Sequence, residues 1–457
     1  MKARGPLLVV VLSLVAPALW LTTGAATGRF ATPTTSLMSL GALFGLAGAS
    51  VFAVNLILGA RFQVMDALFG GLDKLYRFHR RNGEAAIALL VCHAALMFAS
   101  RATISASTAL ALISPAGGWT QFLGVVALVL ALGVLAFTLL ARLGHEVFVY
   151  VHRFFGGAFL VAIFHIFGSP DLRASQPLTL YLGALSAAAL LAWGYRSLFA
   201  SFLVRRYEYA VAEVDRLDPT VVAIGMQPIG RRLHYIPGQF IFVTFYSSKF
   251  EAQFHPVSVA SQGGSAIITL RPGEARDQFH PFSLTSAPQQ PGLSVAIKAV
   301  GDFTAALHEL NIGAIARVEG PYGGFSYLKT RNPKQVWIAG GIGITPFVGM
   351  ARSLEPSGRS IDLFYGFKSR AQGYFGDELA ALADGVEDFR FFPVPEDERG
   401  FITTDLIARH SGALAARDFF ICGPPGMIDN MRRQLAAAGV RARRIHYEKF
   451  ALGGPRA

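Results

Sequence analysis

Two cysteines in 457 residues, Cys92 and Cys422, leave sulfur little to do. They cannot form a disulfide framework, and two thiols alone complete neither a zinc site nor an iron–sulfur cluster. Charge is also scarce: Asp, Glu, Lys and Arg make up 15% of the chain, against ~25% in ordinary soluble domains. With 53% apolar residues, that excludes a disordered chain, and excludes a soluble enzyme unless the apolar residues are gathered in one part. They are gathered. Residues 1–200 hold only 5 of the 29 Asp and Glu and 13 of the 41 Lys and Arg, so the net charge of +12 splits into +8 and +4. The basic excess of the first part does not imply a nucleic acid partner, because orientation in a lipid bilayer accounts for it.

Six apolar stretches, roughly 6–23, 36–60, 82–99, 119–141, 148–168 and 177–199, are long enough for ~30 Å of hydrocarbon. With the N-terminus placed in the cytoplasm, the inner side carries twelve cations, from Lys2 and Arg4 through Lys74, Arg77, Arg80 and Arg81 to Arg205 and Arg206. The outer side carries Arg29, Arg101 and Arg173. This positive-inside bias predicts a multi-pass protein of the plasma or inner membrane with both termini cytoplasmic. A cleaved signal peptide is the competing reading of the first stretch.

Ionisable residues at membrane depth mark function. Span three and its approach carry His79 and His93, 14 residues apart, and span five carries His152 and His165, 13 apart. These spacings rise ~21 Å and ~20 Å along a helix. Both spans run the same way, so His79 meets His152 in depth and His93 meets His165. Two imidazole pairs at two depths predict two stacked six-coordinate haems, with iron as the metal. On an ideal helix the 13-residue spacing leaves its histidines ~140° apart. The expected remedy is a bend at Gly156-Gly157.

After Arg206 the pattern turns to short β-like runs (207–214, 221–226, 239–246) punctuated by Pro and Gly, which reads as a small antiparallel barrel. The run His280-Pro281-Phe282-Ser283-Leu284-Thr285 follows, then a strand over 293–299 containing Lys298, then Gly301-Asp302-Phe303-Thr304 opening a helix-like segment. A glycine turn into a helix start offers backbone N–H groups to a pyrophosphate. An aromatic beside a serine suits a flavin ring. Phe254-His255-Pro256-Val257-Ser258 partly repeats this motif. The second copy is preferred for its Phe282 and the nearby glycine turn, which leaves the first as an inserted hairpin without an assigned role.

A predicted strand over 335–339 runs into Gly340-Gly341-Ile342-Gly343-Ile344-Thr345-Pro346, as dinucleotide pyrophosphate turns do. The next strand, 361–365, ends near Lys368, Ser369 and Arg370, side chains that suit a ribose 2′-phosphate and so NADPH over NADH. The last predicted strand, 418–421, leads into Cys422 and Gly423 at the sheet edge where ligands bind. Near the C-terminus, Phe450 offers an aromatic face to a flavin.

Taken together, the two histidine pairs, His-Pro-Phe-Ser, Gly-Asp-Phe-Thr, Gly-Gly-Ile-Gly-Ile-Thr-Pro and Cys-Gly-Pro-Pro resemble, in order, the NADPH oxidase / ferric reductase family, over about residues 36–450. The resemblance implies a six-helix transmembrane bundle over 1–200, an antiparallel β-barrel FAD domain over 201–328 and an α/β parallel-sheet nucleotide domain over 329–457. It implies two b-type haems, an inner one on His79 and His152 and an outer one on His93 and His165. FAD would be held by residues 280–285, Lys298 and 301–304. NADPH would be held by Gly340, Gly341, Gly343, Thr345, Pro346, residues 368–370, Cys422 and Gly423. Ser283, Cys422 and Phe450 would serve the hydride step.

The implied activity is NAD(P)H-dependent electron transfer across the membrane to a small acceptor, dioxygen or a ferric chelate, by a monomer or homo-oligomer. The alternative is a quinone- or partner-linked cytochrome b reductase. Met97 stands where animal oxidases of the family carry a further histidine. Arg29 and Arg101 are assigned to loops, so no arginine serves dioxygen within the outer half of the bundle, and ferric reduction stays open.

Overall fold

The computed structural model describes residues 4–23, 26–140, 145–246, 257–262, 265–270, 279–355 and 358–449. The chain forms two compact units, one over Lys2–Val204 and one over Arg205–Ala457.

The first unit is helical: α1 Gly5–Leu21, α2 Pro33–Gly59, α3 Leu72–Ala102, α4 Trp119–Leu140, α5 His145–His152, α6 Phe154–Phe167 and α7 Gln176–Ser197. Among the described residues, five apolar segments are long enough to cross a membrane, with α5 and α6 counted together as one over Val147–Phe167. The expected first span, α1, has 17 residues and rises ~25 Å. That is the short end of what crosses a bilayer, and Ala16 and Trp20 pack it against Leu46, Leu178 and Leu182. Packing of α2 on α3 depends on small residues, as between helices in lipid. An added Cβ at Gly41 would lie 2.9 Å from Met97 Sδ, and one at Gly48 2.9 Å from Leu90 Cδ2. Helix α3 continues through Arg101, so this residue belongs to a last helical turn and not to the loop expected for it.

The second unit opens with β1 Tyr207–Asp218, β2 Val221–Pro228, β3 Phe240–Tyr246, β4 Val257–Gln262, β5 Ser265–Leu270, β6 His280–Ser283, β7 Leu293–Lys298 and β8 Ile315–Tyr322. Six of these form one antiparallel sheet in the order β6-β3-β8-β1-β2-β7. A bridge between Leu284 and Val295 brings its two edges together. Alternate residues point inward, and Val222, Ile224, Ile241, Val243, Val295 and Val318 are buried without remainder, each worth roughly 1.5–3 kcal/mol. Strands β4 and β5 form a separate two-stranded hairpin, so the repeated motif does not join the sheet that His280–Ser283 joins. Residues 254–256 of that repeat lie outside the described residues.

The remaining strands, β9 Lys334–Gly340, β10 Ser360–Phe367, β11 Phe389–Pro395, β12 Asp418–Cys422 and β13 Ile445–Glu448, make a parallel sheet in the order β11-β10-β9-β12-β13. Val336 to Ala339 are apolar at every position because both faces of the sheet are covered. Strand order reverses between β9 and β12, the place where a doubly wound sheet opens a crevice at its carboxyl edge.

Candidate functional site

The four histidines fall into the two expected pairs. The ring centroids of His79 and His152 are 6.0 Å apart, and those of His93 and His165 are also 6.0 Å apart. An iron between two imidazoles needs ~6.2 Å, from two metal–nitrogen bonds of ~2.0 Å and ~1.1 Å from each nitrogen to its ring centre. The spacing therefore fits a metal ligated from both sides. Nδ1 of His93 donates to the Gly41 carbonyl at 2.7 Å, and Nδ1 of His165 to the Thr120 carbonyl at 2.8 Å, the tautomer that leaves each Nε2 for a metal. Around the other pair, Phe148 stacks on His152 at 5.3 Å and Phe155 meets it edge-on at 5.0 Å.

The 13-residue spacing is accommodated at Arg153, one turn before the glycines expected to do it. There the helix breaks between α5 and α6. The Arg153 amide is shared between Val149 and Tyr150 carbonyls, and Gly156 N–H reaches back three residues to the Arg153 carbonyl at 3.1 Å. An i→i+3 turn advances ~120° per residue instead of ~100°, so three such residues recover ~60° of the deficit. Trp193 Nε1 donates to the same Arg153 carbonyl at 2.8 Å. Gly156 makes room for it, since a Cβ there would run into the indole.

In the sheet of six strands, Ser283 ends β6 opposite Phe240. Its hydroxyl is buried and finds no protein partner among the described residues, a vacancy in bonding that a flavin edge would satisfy. His280 stacks on Phe303 at 3.9 Å and 19°. Phe282 packs on the sheet core. Thr285 is buried, with its hydroxyl 2.7 Å from that of Ser294. Pro281 and Leu284 complete the strand and its bridge.

The expected pyrophosphate turn differs from expectation in one respect. The helix after Gly301, α8 Asp302–Ala306, has five residues, and Thr304 Oγ1 already accepts the amides of Val300 and Gly301 at 2.8 and 3.0 Å. Those two donors are spent within the turn. Lys298 is exposed at the end of β7.

At the switch point the two turns touch. A Cβ on Gly343 would lie 2.5 Å from the Cys422 carbonyl, and one on Gly423 would lie 3.1 Å from Gly340 Cα. Gly341 has φ +53° and faces open space. Thr345 caps the turn back to Ile342 at 3.1 Å, and Pro346 is buried behind it. Cys422 pairs in register with Glu448, and both are buried. Burial, and then the Glu448 carboxylate, push the Cys422 thiol well up, so it stays protonated at neutral pH. Glu448 was not singled out from the sequence. Its only signal was an acidic residue in an aromatic C-terminal run.

Phe450 lies outside the described residues. Lys368 and Arg370 are exposed beyond the end of β10 with Ser369 between them, and Arg370 is held by Glu398 at 2.7 Å. Arg352 ties the two sheets of this unit together, bonding the Thr285 carbonyl at 2.9 Å and both oxygens of Glu378.

Residues 44–163 match the family described as ferric reductase like transmembrane component, and residues 337–433 match the oxidoreductase NAD-binding domain. The chain is 28% identical over 206 residues to the reductase component of propane 2-monooxygenase from Mycolicibacterium goodii, covering 40% of this chain and 59% of that protein. It is 27% identical over 264 residues to the phenol hydroxylase P5 protein of Acinetobacter pittii, covering 55% and 67%. Among solved structures, the flavohemoglobin of Malassezia yamatoensis superposes with a TM-score of 0.47 at 18% identity, covering 99% of each chain. The chain thus spans about three fifths of the length of the propane 2-monooxygenase reductase component. It joins a ferric reductase-like transmembrane component to an oxidoreductase NAD-binding domain, a fusion that fits the NADPH oxidase / ferric reductase type.

Proposed function

We propose that the protein carries electrons across a membrane, from cytosolic NADPH through FAD and two b-type haems to a small acceptor on the outer face, dioxygen or a ferric chelate. The observation that carries this reading is the repeated 6.0 Å imidazole pair. Bound FAD would take a hydride's two electrons and pass them singly to the haems.

The chain's own residues have separate tasks. His79 with His152, and His93 with His165, would each hold one haem from both sides, and the haem would supply one-electron transfer to the acceptor. Ser283 offers its unpaired hydroxyl to the flavin edge. Protonated Cys422 and buried Glu448 close the carboxyl end of the parallel sheet against water, beside the glycine turns that admit the dinucleotide. Arg370, Lys368 and Ser369 favour a 2′-phosphorylated ribose. The domain limits of 1–200, 201–328 and 329–457 and the cytoplasmic termini belong to the same reading.

The test is anaerobic reduction. NADPH added to the purified, FAD-loaded protein reduces b-type haem bands, and dioxygen or a ferric chelate, supplied one at a time, reoxidises them. A spectrum without two haems per chain, or haems that NADPH leaves oxidised, rejects the proposal.

A further inference from the structure

The two histidines of the outer pair are seated by the same device on different helices. His93, on α3, donates to the carbonyl of Gly41 on α2, and its ring lies on Gly45, four residues further along that helix. His165, on α6, donates to the carbonyl of Thr120 on α4, and its ring lies on Gly124, again four residues further along. The repeat has a physical cause. A helical carbonyl at position i already bonds the amide at i+4, and its second lone pair points outward beside residue i+4. A side chain at i+4 covers that lone pair, whereas a glycine leaves it open. A Cβ on Gly45 would lie 2.7 Å from His93 Nδ1 and 2.9 Å from Cε1. One on Gly124 would lie 2.7 Å from His165 Nδ1 and 2.8 Å from Cε1.

The inner pair carries the device only loosely and on one side, where the Asn55 backbone and Gly59, again four residues further along, lie beside His79. Neither His79 nor His152 brings Nδ1 to an acceptor in hydrogen-bond geometry among the described residues. The Asn55 backbone lies toward His79 but outside that geometry. The glycine beside His79, Gly59, would accept a Cβ at 3.6 Å from Cε1, ordinary contact.

We infer that Gly45 and Gly124 are positioning residues for the outer haem, admitting the imidazoles of His93 and His165 to the carbonyls of Gly41 and Thr120 and so setting ligand orientation and donor strength on both sides of one iron. This rests on the haem reading above. A carbonyl acceptor on Nδ1–H makes the imidazole a stronger donor and stabilises the oxidised iron. Removing the bond therefore raises the potential of the outer haem, and crowding the ring loosens its grip.

The experiment compares full-length Gly45→Ala, Gly124→Ala, Gly59→Ala and Gly133→Ala. Gly133 shares a helix with Gly124, and a Cβ there meets nothing within 4 Å. Haem per FAD, the low-spin EPR signals and a redox titration are read for each. Expected for Gly45→Ala and Gly124→Ala is either loss of one haem of the two, or an upward shift of one midpoint with an altered EPR signal, while Gly59→Ala and Gly133→Ala match the wild type. Two haems at wild-type potentials with wild-type EPR in both Gly45→Ala and Gly124→Ala overturn the inference.

If those variants do not accumulate, pulsed EPR of the wild type labelled with nitrogen-15 histidine decides. Different remote-nitrogen couplings at the two haems support the inference, and equal couplings overturn it. A wild type with fewer than two haems removes the underlying reading instead, so the two failures are told apart.

Discussion

Arg370 and Glu398 form a two-point ion pair beyond the carboxyl end of β10, Nε to Oε1 at 2.7 Å and Nη2 to Oε2 at 3.1 Å. The arginine assigned to the 2′-phosphate is therefore held by a carboxylate, and that carboxylate lies below its usual range because of the arginine. A phosphate must compete for the same guanidinium fork. Glu398→Gln should strengthen NADPH binding by a few-fold and leave NADH unchanged. Arg370→Ala should weaken NADPH more than NADH. Dissociation constants for both nucleotides check this, and equal effects on both would reject the assignment.

His93→Ala or His165→Ala should leave one haem per chain while NADPH still reduces FAD. His79→Ala or His152→Ala should also leave one, and should block reduction of the haem that remains, since the electron path from FAD is then broken. Haem-to-FAD ratios with anaerobic spectra are the measurement. A variant that keeps both haems refutes the pairing.

The Trp193–Arg153 bond adds a second donor to a carbonyl at the helix break that already accepts the Gly156 amide. Such a bond is worth about 0.5–1.5 kcal/mol. Trp193→Phe should lower haem retention at both pairs, because α5 and α6 each carry one ligand. Gly156→Ala should do more, since its Cβ collides with the indole. Thermal loss of the haem spectrum orders the wild type, Trp193→Phe and Gly156→Ala.

Gly343→Ala should abolish dinucleotide binding and spare FAD. Its Cβ would lie 2.5 Å from the Cys422 carbonyl, a main-chain atom that cannot swing away. The two turns at the switch point would have to part. Calorimetry with NADPH, beside flavin content, separates the two outcomes.

The raised thiol of Cys422 sets the sign of one pH effect. Folded protein keeps this proton at pH values where the unfolded chain, titrating at about 8.5, loses it. The stabilising contribution is thus complete below about pH 8.5 and fades as pH rises toward the folded value. Cys422→Ser, which does not titrate there, should show a shallower alkaline loss of stability in denaturant melts of the full chain. A slope equal to that of the wild type would count against the buried thiol.

Much of the site could be read along the chain because its signals are local. Histidine spacing, the glycine turns after β9 and β12, and the His280–Ser283 motif each fit within one or two elements. Strands β8, β11 and β13 were not read, since Ile315–Tyr322, Phe389–Pro395 and Ile445–Glu448 earn their place by pairing with strands distant in sequence. Glu448 was missed for the same reason: it becomes a neighbour of Cys422 only in register across β12 and β13.

By itself the sequence determined which side chains are available: two histidine pairs at matched rise, glycines at turn positions, and apolar runs of membrane length. Composition and periodicity are properties of the chain alone, and a helix of known rise converts them into depth. Tertiary structure alone decided what those side chains touch. That His93 and His165 each rest on a glycine and bond the carbonyl one turn before it, that Arg153 rather than Gly156-Gly157 carries the break, and that Glu398 holds Arg370 are contacts between segments far apart in sequence. Such contacts depend on close packing and on where leftover lone pairs and charges meet, which no local pattern records.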